Sequence, residues 1–123
     1  GSGEALPPPA PRPYGQQGYG WHTTGDCSID LVSNCVSSPN WPEPYGPNTA
    51  CTIIVDDASL LGSVSARSFT VEYPDLLTVN GAMYHGLSGP QGAWVQTAEW
   101  VSNSQWSRRG WRLCPDTATD MPI

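Results

Sequence analysis

The chain has 123 residues, which is the length of one domain with a single hydrophobic core. It carries eleven carboxylates against five arginines and no lysine, and this net charge of −6 argues against binding to nucleic acid or to an anionic membrane surface. No apolar run approaches the roughly 18–20 residues of a membrane span, so we expect no membrane insertion. No signal peptide is visible, and we expect a processed or tagged start at residues 1–3.

The first 24 residues differ in composition from the rest of the chain. Residues 6–13 read Leu-Pro-Pro-Pro-Ala-Pro-Arg-Pro, which predicts a polyproline II stretch, and a segment rich in Gly, Gln and Tyr follows. Neither part can bury a core of its own. We therefore expect residues 1–24 to form an extended arm or linker along a neighbouring surface, residues 25–115 to form the domain, and residues 116–123 to form a C-terminal tail.

From residue 27 onward the pattern is typical of an all-β protein. No window shows a helical period, and Asn80-Gly81 between two apolar runs favours a type I′ hairpin because both residues accept positive φ. Short strands separated by turn residues predict a β-sandwich or barrel. The predicted strands lie within residues 51–55, 63–72, 76–79, 82–84, 94–101 and 111–114.

The four cysteines form an even set in a short, loop-rich chain. They lack the paired C-x-x-C knuckles of a zinc site, and only two histidines could assist, so we expect two disulfides rather than zinc. Three pairings are possible from the count alone. Disulfides indicate an oxidising compartment, either outside the cell or in a lumen of the secretory pathway. The cysteines are Cys27, Cys35, Cys51 and Cys114.

Residues 36–53 resemble the opening of a CUB domain. They contain a Ser-Pro-Asn-Trp-Pro element ending in Trp41-Pro42, then Tyr45, and then Cys51 at the head of a strand; we interpret Trp41 and Tyr45 as bracing the Pro-rich turn. The resemblance covers about residues 27–114. Within it, the sequence is similar to a compact CUB-like variant of secreted proteins in unicellular eukaryotes. It implies a jelly-roll β-sandwich of two antiparallel sheets. The later matching motifs are Phe-Thr-Val-Glu at 69–72, Asp-Leu-Leu-Thr-Val-Asn-Gly at 75–81, Trp-Val-Ser-Asn-Ser at 100–104 and Gly-Trp-Arg-Leu at 110–113.

The resemblance also implies a disulfide pairing. By position, Cys27 and Cys51 match the first cysteine pair of the family, which leaves Cys35 to pair with Cys114. The second pair of the family, which flanks its Asp-Tyr hairpin, is absent from this sequence. The second bridge here would close a loop of roughly 80 residues and would strongly constrain the unfolded chain.

Many CUB domains bind calcium, and the resemblance carries the ligands onto Glu72, Asp75 and Asn103. Such a site would bind a basic side chain of a partner protein. Two departures lower the expected calcium affinity: Asn103 stands where the family has Asp, and the spacing between Glu72 and Asp75 is shorter than usual. Without the resemblance, the two acids are interpreted as strand-end and turn residues, with Asp75 capping the turn after Pro74.

Tryptophans suggest a carbohydrate-binding alternative, because exposed aromatic faces stack on sugars. Trp94 and Trp100 are six residues apart in a predicted strand, so we expect them on one face, and we expect most tryptophans, Trp111 among them, in the core. The remaining candidates combine aromatic and arginine side chains, which suit an interface. The expected partner or ligand contacts are Trp21, Trp106, Arg108 and Arg109.

We expect no catalysis from this chain. Only two histidines are present, His22 in the arm and His85 beside the hairpin, and both are expected at the surface. The adjacent acids Asp56 and Asp57 point to opposite faces of an extended chain and cannot share a substrate. With all four cysteines oxidised, no thiol nucleophile remains.

The favoured hypothesis is therefore a non-catalytic extracellular or lumenal protein-interaction module. It would belong to a larger protein or assembly and bind another protein through the N-terminal arm or through the acidic, calcium-type site. A carbohydrate-binding domain that uses exposed tryptophans is the alternative from another class. A structural filament or matrix subunit is a further alternative.

Overall fold

The structure is a computed structural model, and it describes residues 15–103 and 107–117. These residues contain ten short β-strands and one turn of 3-10 helix, and no helix among them is long and apolar enough to span a membrane. The strands are β1 Gln16–Gln17, β2 Trp21–Gly25, β3 Ser28–Asp30, β4 Cys35–Ser37, β5 Ala50–Val55, β6 Val64–Thr70, β7 Leu76–Val79, β8 Ala82–Tyr84, β9 Thr97–Val101 and β10 Gly110–Pro115; the 3-10 helix is Ala58–Leu60.

The strands pair into two antiparallel sheets, which confirms the expected all-β sandwich. One sheet has six strands in the order β1-β2-β5-β9-β7-β8, and the other has four in the order β3-β4-β10-β6. Apolar side chains from both sheets are fully buried between them, because strands of period two send alternate residues inward. The largest of these are Trp21, Trp100, Trp111, Ile53, Leu77 and Leu113.

Strand β6 contains a β-bulge. The register shifts between Arg112 and Leu113 of β10, so that Arg67 is an extra residue on β6. The extra residue reverses the alternation of side chains along the strand. Val64 and Phe69, an odd number of positions apart, therefore both face the core.

The Asn-Gly hairpin is confirmed. Strands β7 and β8 pair with Val79 directly opposite Ala82, so the loop between them has two residues. Asn80 has φ 51° and Gly81 has φ 87°, as a type I′ turn requires.

The expected start of the domain at residue 25 is wrong. Strand β1 pairs with β2, and β2 pairs with β5 along its whole length, from Trp21 opposite Val55 to Gly25 opposite Cys51. Trp21 is completely buried because it faces the interior of the sandwich, so it offers no surface to a partner, contrary to expectation. The expected Pro-rich stretch, the contact at Trp106 and the last six residues of the tail lie outside the described residues.

Trp94 and Trp100 do not share a face, contrary to expectation. Trp94 is 64% exposed, whereas Trp100 is 1% exposed. Strand β9 begins only at Thr97, because the side chain of Asn80 forms hydrogen bonds with the backbone before it. The Asn80 amide donates to the carbonyl of Trp94 and accepts from the N–H of Gln96. These hydrogen bonds interrupt the strand over residues 94–101 that the sequence predicted, and the prediction of a shared face depended on that strand being continuous.

The disulfides are confirmed in the pairing that the resemblance implied. Cys27–Cys51 joins the segment before β3 to β5 and so connects the two sheets. Cys35–Cys114 joins the neighbouring strands β4 and β10 within the four-stranded sheet. Both bonds agree with an oxidising compartment.

Candidate functional site

Three connections at one end of the sandwich bring the predicted calcium ligands together. The starts of β5 and β7 and the end of β9 are in register, and the end of β6 pairs with the start of β10. The connections that meet at this end are β4–β5, β6–β7 and β9–β10. We call their polar cluster the end-loop site; it consists of Tyr45, Glu72, Asp75, Asn103 and Arg108.

Asp75 is the buried centre of the end-loop site, with 1% of its surface exposed. One carboxylate oxygen accepts a hydrogen bond from the Tyr45 hydroxyl at 2.5 Å, and the other accepts from the Asn103 backbone N–H at 2.7 Å. Both donors are neutral, and no cationic side chain of the described residues lies within ion-pair distance of Asp75. The carboxylate thus binds two other loops rather than capping the turn after Pro74.

Tyr45 joins the two acids to each other. Its hydroxyl donates to Asp75 and accepts from the backbone N–H of Glu72 at 3.2 Å, while its ring packs edge-on against Trp100 at 4.7 Å between centroids. Burial, and then the hydrogen bond to Asp75, raises the pKa of Tyr45 far above its usual 10. The hydroxyl therefore keeps its proton and remains a donor to Asp75.

Glu72 binds an arginine of its own chain. Oε1 of Glu72 accepts from both Nε and Nη2 of Arg108 at 2.6 Å, which is a charge-assisted, two-point contact. Both side chains reach solvent, with 54% of Arg108 and 35% of Glu72 exposed. Arg108, predicted to contact a partner, thus contacts Glu72, whereas Arg109 beside it is exposed.

A hydroxyl network fixes the loop of Tyr45 to the end of β9. The hydroxyl of Ser102 accepts from the Thr49 N–H and donates to the Gly46 carbonyl, both at 2.9 Å. The indole N–H of Trp100 donates to the Thr49 hydroxyl at 3.0 Å. The end-loop site is therefore held in place by side chains outside it.

The end-loop site has ligands of the type that calcium prefers, but it has too few of them to complete a coordination shell. Calcium prefers six to eight hard oxygen ligands, and the carboxylates of Glu72 and Asp75 are such ligands. Asn103 joins the site through its backbone N–H, which is no calcium ligand. No group of three or more His, Cys, Asp or Glu in the described parts of the chain could hold a metal ion. Carbonyl groups and water would have to supply most ligands, and calcium would compete with Arg108 for Glu72.

The partners of the two histidines are not among the five residues of the end-loop site, although Tyr73 lies between two of them in sequence. His22 lies on β2 rather than in an arm, and its Nδ1 is 2.9 Å from both oxygens of Asp56; this hydrogen bond lowers the pKa of the Asp56 carboxyl. Asp57 instead caps the 3-10 helix. His85 is exposed, with its ring 4.8 Å from that of Tyr73. The adjacent acids therefore serve different contacts.

The sequence predicted that Glu72, Asp75 and Asn103 lie together. It did not predict that the Tyr45 hydroxyl links the two acids, nor that Arg108 contacts Glu72. The place of Tyr45 in the Pro-rich motif was the one available signal. Arg108 gave none, because it is 36 residues from Glu72 in sequence. No protein-family model, curated protein or solved structure matches this chain.

Proposed function

We propose that this chain is a non-catalytic, CUB-like protein-interaction module that works outside the cell or in a lumen of the secretory pathway. Its end-loop site binds a basic side chain of a partner protein, within a larger protein or assembly. The observation that carries the proposal is the two-point contact of the Arg108 guanidinium with Glu72. A site that already accepts an arginine in this geometry has the chemistry to accept one from another protein.

Burial and charge support this proposal. The Asp75 carboxyl accepts hydrogen bonds from two neutral groups, the Tyr45 hydroxyl and the Asn103 N–H, and no cationic side chain of the described residues pairs with it, so the site favours a cation from outside. The net charge of −6 favours a basic partner over an acidic one. The contact of Arg108 is exposed, so a partner can exchange with it at low cost, because exposed ion pairs contribute about 1 kcal/mol or less.

Calcium is part of this proposal. Glu72 and Asp75 would hold the ion, and its positive charge would fix the two carboxylates in position for a partner. Arg108 would then leave Glu72 and its guanidinium would become available to solvent.

The non-catalytic role is supported by where the reactive groups lie. The two histidines contact Asp56 and Tyr73, and all four cysteines are in disulfides. The disulfides support a location in an oxidising compartment.

The test is to remove the internal arginine and supply a free one. We expect isotope-labelled Arg108→Ala protein to show saturable shifts at the amides of Glu72 and Asp75 when N-acetyl-arginine amide is added. The shifts should disappear when Glu72→Gln is added to that variant. Arg109→Ala is the matched control, because it removes an exposed arginine from the same loop without freeing Glu72.

Calcium is tested on the same proteins by calorimetry. We expect wild-type protein to release or absorb heat saturably, Arg108→Ala to bind more tightly because the competing guanidinium is gone, and Asp75→Asn to lose binding. Absence of saturable arginine shifts would refute the proposed recognition of a basic side chain. Absence of calorimetric binding in both wild type and Arg108→Ala would refute the calcium part alone.

A carbohydrate-binding role has one specific observation in its favour. The indole of Trp94 is 64% exposed, and an exposed indole can stack on a sugar ring. Binding on a glycan array that free saccharide competes away, and that Trp94→Ala abolishes, would favour this role over protein recognition.

A further inference from the structure

The outer face of the six-stranded sheet carries a shallow groove that the end-loop site does not explain. The groove has a volume of about 580 Å3 and lies over strands β2, β5, β9 and β7. Most of the side chains that line it are apolar or carry a hydroxyl group, and Val101 among them is 52% exposed. The lining side chains that point away from the core are those of Thr24, Thr52, Leu76, Thr78, Glu99 and Val101.

The strand register places Glu99 within a row of threonines. Thr24 on β2 is opposite Thr52 on β5, and Thr52 is opposite Glu99 on β9. On the other side of Glu99, Thr78 of β7 is directly opposite it. Because the Cβ atoms of opposite residues are about 4.5–5.5 Å apart, a ligand group that binds Glu99 can also reach the hydroxyls of Thr52 and Thr78.

A second row, one step closer to the end-loop site, is apolar. Val101 on β9 is opposite Ala50 on β5 and opposite Leu76 on β7. Side chains alternate along a strand, so Val101 lies on the same face as Glu99, about 7 Å along β9. The groove therefore offers apolar contacts beside a single negative charge.

The carboxylate of Glu99 has no partner within the described parts of the domain. Its side chain is exposed, and no described residue donates a hydrogen bond to it or forms an ion pair with it. Among the described residues that line the groove, no other side chain is charged. The hydroxyls of Thr52 and Thr78 likewise form no hydrogen bond with described residues. These polar groups are free to bind a ligand, and the charge of Glu99 favours a cationic one.

The shape of the groove and its charge favour a segment of another protein as the ligand. A small molecule is normally buried on most of its sides in its pocket, whereas this groove is shallow. A second copy of the chain, docked across a two-fold axis, would bring two Glu99 carboxylates into one interface. No cation lines the described groove to pair with either carboxylate. An extended segment with a basic residue matches both the shape and the charge.

We propose that this groove binds an extended segment of a partner protein that carries one lysine or arginine between apolar residues. The basic group forms charge-assisted hydrogen bonds with Glu99, and the hydroxyls of Thr52 and Thr78 accept its remaining N–H donors. The apolar residues beside it pack on Leu76 and Val101. The net charge of −6 attracts a basic segment as well.

The test uses isotope-labelled full-length protein and a peptide probe. The probe is an acetylated and amidated peptide with the sequence Pro-Val-Pro-Lys-Pro-Val-Pro, whose prolines keep it extended and prevent it from pairing with itself. We expect saturable shifts at the amides of Thr52, Thr78 and Val101. Glu99→Gln should weaken binding about twofold to fivefold, the range of an exposed ion pair. Glu99→Lys should no longer bind this peptide and should instead bind the peptide with glutamate in place of lysine.

Glu43→Gln and Glu72→Gln are the matched controls. Glu43 is an exposed acid outside the groove without described side-chain partners, and Glu72 belongs to the end-loop site. Both variants should bind the lysine peptide as tightly as the wild type does. The end-loop site is tested separately, with free arginine on Arg108→Ala, so the failure of one proposal leaves the other standing.

Four results would overturn the proposal. One is the absence of saturable shifts at the groove when the lysine peptide is added. Another is equal affinity of the wild type and Glu99→Gln, or equal binding of the glutamate peptide to the wild type, because the charge of Glu99 would then select nothing. A third is a wild-type dimer in sedimentation whose dissociation on dilution shifts Thr52 and Thr78, because a second copy would then occupy the groove. The last is shifts confined to Glu72 and Asp75 that Glu72→Gln removes, because the peptide would then bind at the end-loop site.

Discussion

At the scale of single residues, the hydroxyl of Tyr45 is the most consequential polar atom of the end-loop site. It satisfies the buried carboxylate of Asp75 and the N–H of Glu72 at once. We expect Tyr45→Phe to lower the free energy of unfolding by about 1–3 kcal/mol, because a buried charged acceptor loses its donor. Urea denaturation followed by tryptophan fluorescence measures this loss.

Tyr84→Phe is the control for this prediction. Tyr84 is half-buried, and its hydroxyl forms no hydrogen bond with the described residues. Its removal should change the free energy of unfolding by less than about 0.5 kcal/mol. Equal effects of the two substitutions would show that the hydroxyl of Tyr45 contributes nothing specific.

Alanine substitutions at two glycines with positive φ test the effect of backbone strain separately from that of a steric clash. Gly110 has φ 101°, and a Cβ there would lie 2.0 Å from the Ser38 hydroxyl; Gly81 has φ 87° with open space around it. Gly81→Ala should therefore cost only the strain, about 1–2 kcal/mol. Gly110→Ala should cost more, because Ser38 and Tyr45 must move. Thermal melts of both variants measure the difference, and similar losses would contradict the steric account.

At the scale of elements, the predictable parts of the fold were those set by neighbouring residues. The β7–β8 hairpin could be predicted because Asn80 and Gly81 determine the turn themselves. Strand β2 could not, since it has one large apolar residue, Trp21, and is a strand because β5 pairs with it. The start of β9 was predicted too early, at Trp94, for the same reason. Asn80, which belongs to the β7–β8 hairpin, forms a hydrogen bond with the Trp94 carbonyl, and this contact between distant residues is not visible in the sequence.

The end-loop site also has a part that could be predicted from the sequence and a part that could not. Its acids were found because they occupy motif positions within short stretches of sequence. Their contacts were not, because the hydrogen bond from Tyr45 to Asp75 joins residues 30 apart and Arg108 is 36 residues from Glu72. Residue identity gives the chemistry of a site, whereas the pairing of distant loops decides which groups meet.

The two disulfides constrain different elements, and we expect them to contribute unequally to stability. Cys35–Cys114 closes a separation of 79 residues and Cys27–Cys51 one of 24. In the loop-entropy account, the longer loop stabilises by about 1 kcal/mol more, out of about 4 kcal/mol each. We expect the Cys35→Ala/Cys114→Ala pair to unfold at lower guanidinium concentration than the Cys27→Ala/Cys51→Ala pair. The reverse order would show that loop closure does not govern these bonds.

At the scale of the whole molecule, three aspartates link folding to pH. The backbone N–H of Val32, then other contacts, lowers the pKa of Asp30. The hydrogen bond from His22 lowers the pKa of Asp56, and nearby serine hydroxyls lower that of Asp116. Each carboxyl thus has a lower pKa folded than unfolded, where Asp titrates near about 3.9.

The sign of the linkage predicts acid destabilisation. A group with a lowered folded pKa contributes stability above its unfolded pKa, and this contribution is lost as the pH falls through the folded value. We therefore expect the free energy of unfolding to be nearly flat from pH 7 to about pH 5 and to fall below about pH 4. Urea denaturation at each pH, at constant ionic strength, measures this curve.

Asp30→Asn separates one aspartate from the others. Asp30 pairs with Arg112 at 3.2 Å and is partly exposed, so at pH 7 the substitution should cost about 1 kcal/mol or less. This cost should shrink as the pH falls from about 4 through the lowered pKa of folded Asp30, because Asp30 protonates first in the unfolded chain and then in the folded protein and so becomes neutral like Asn. Glu43→Gln, at an exposed acid without described side-chain partners, should cost little at any pH. A cost of Asp30→Asn that stays constant down to pH 2 would assign the effect to packing, because only the ionised carboxylate of Asp30 is sensitive to pH.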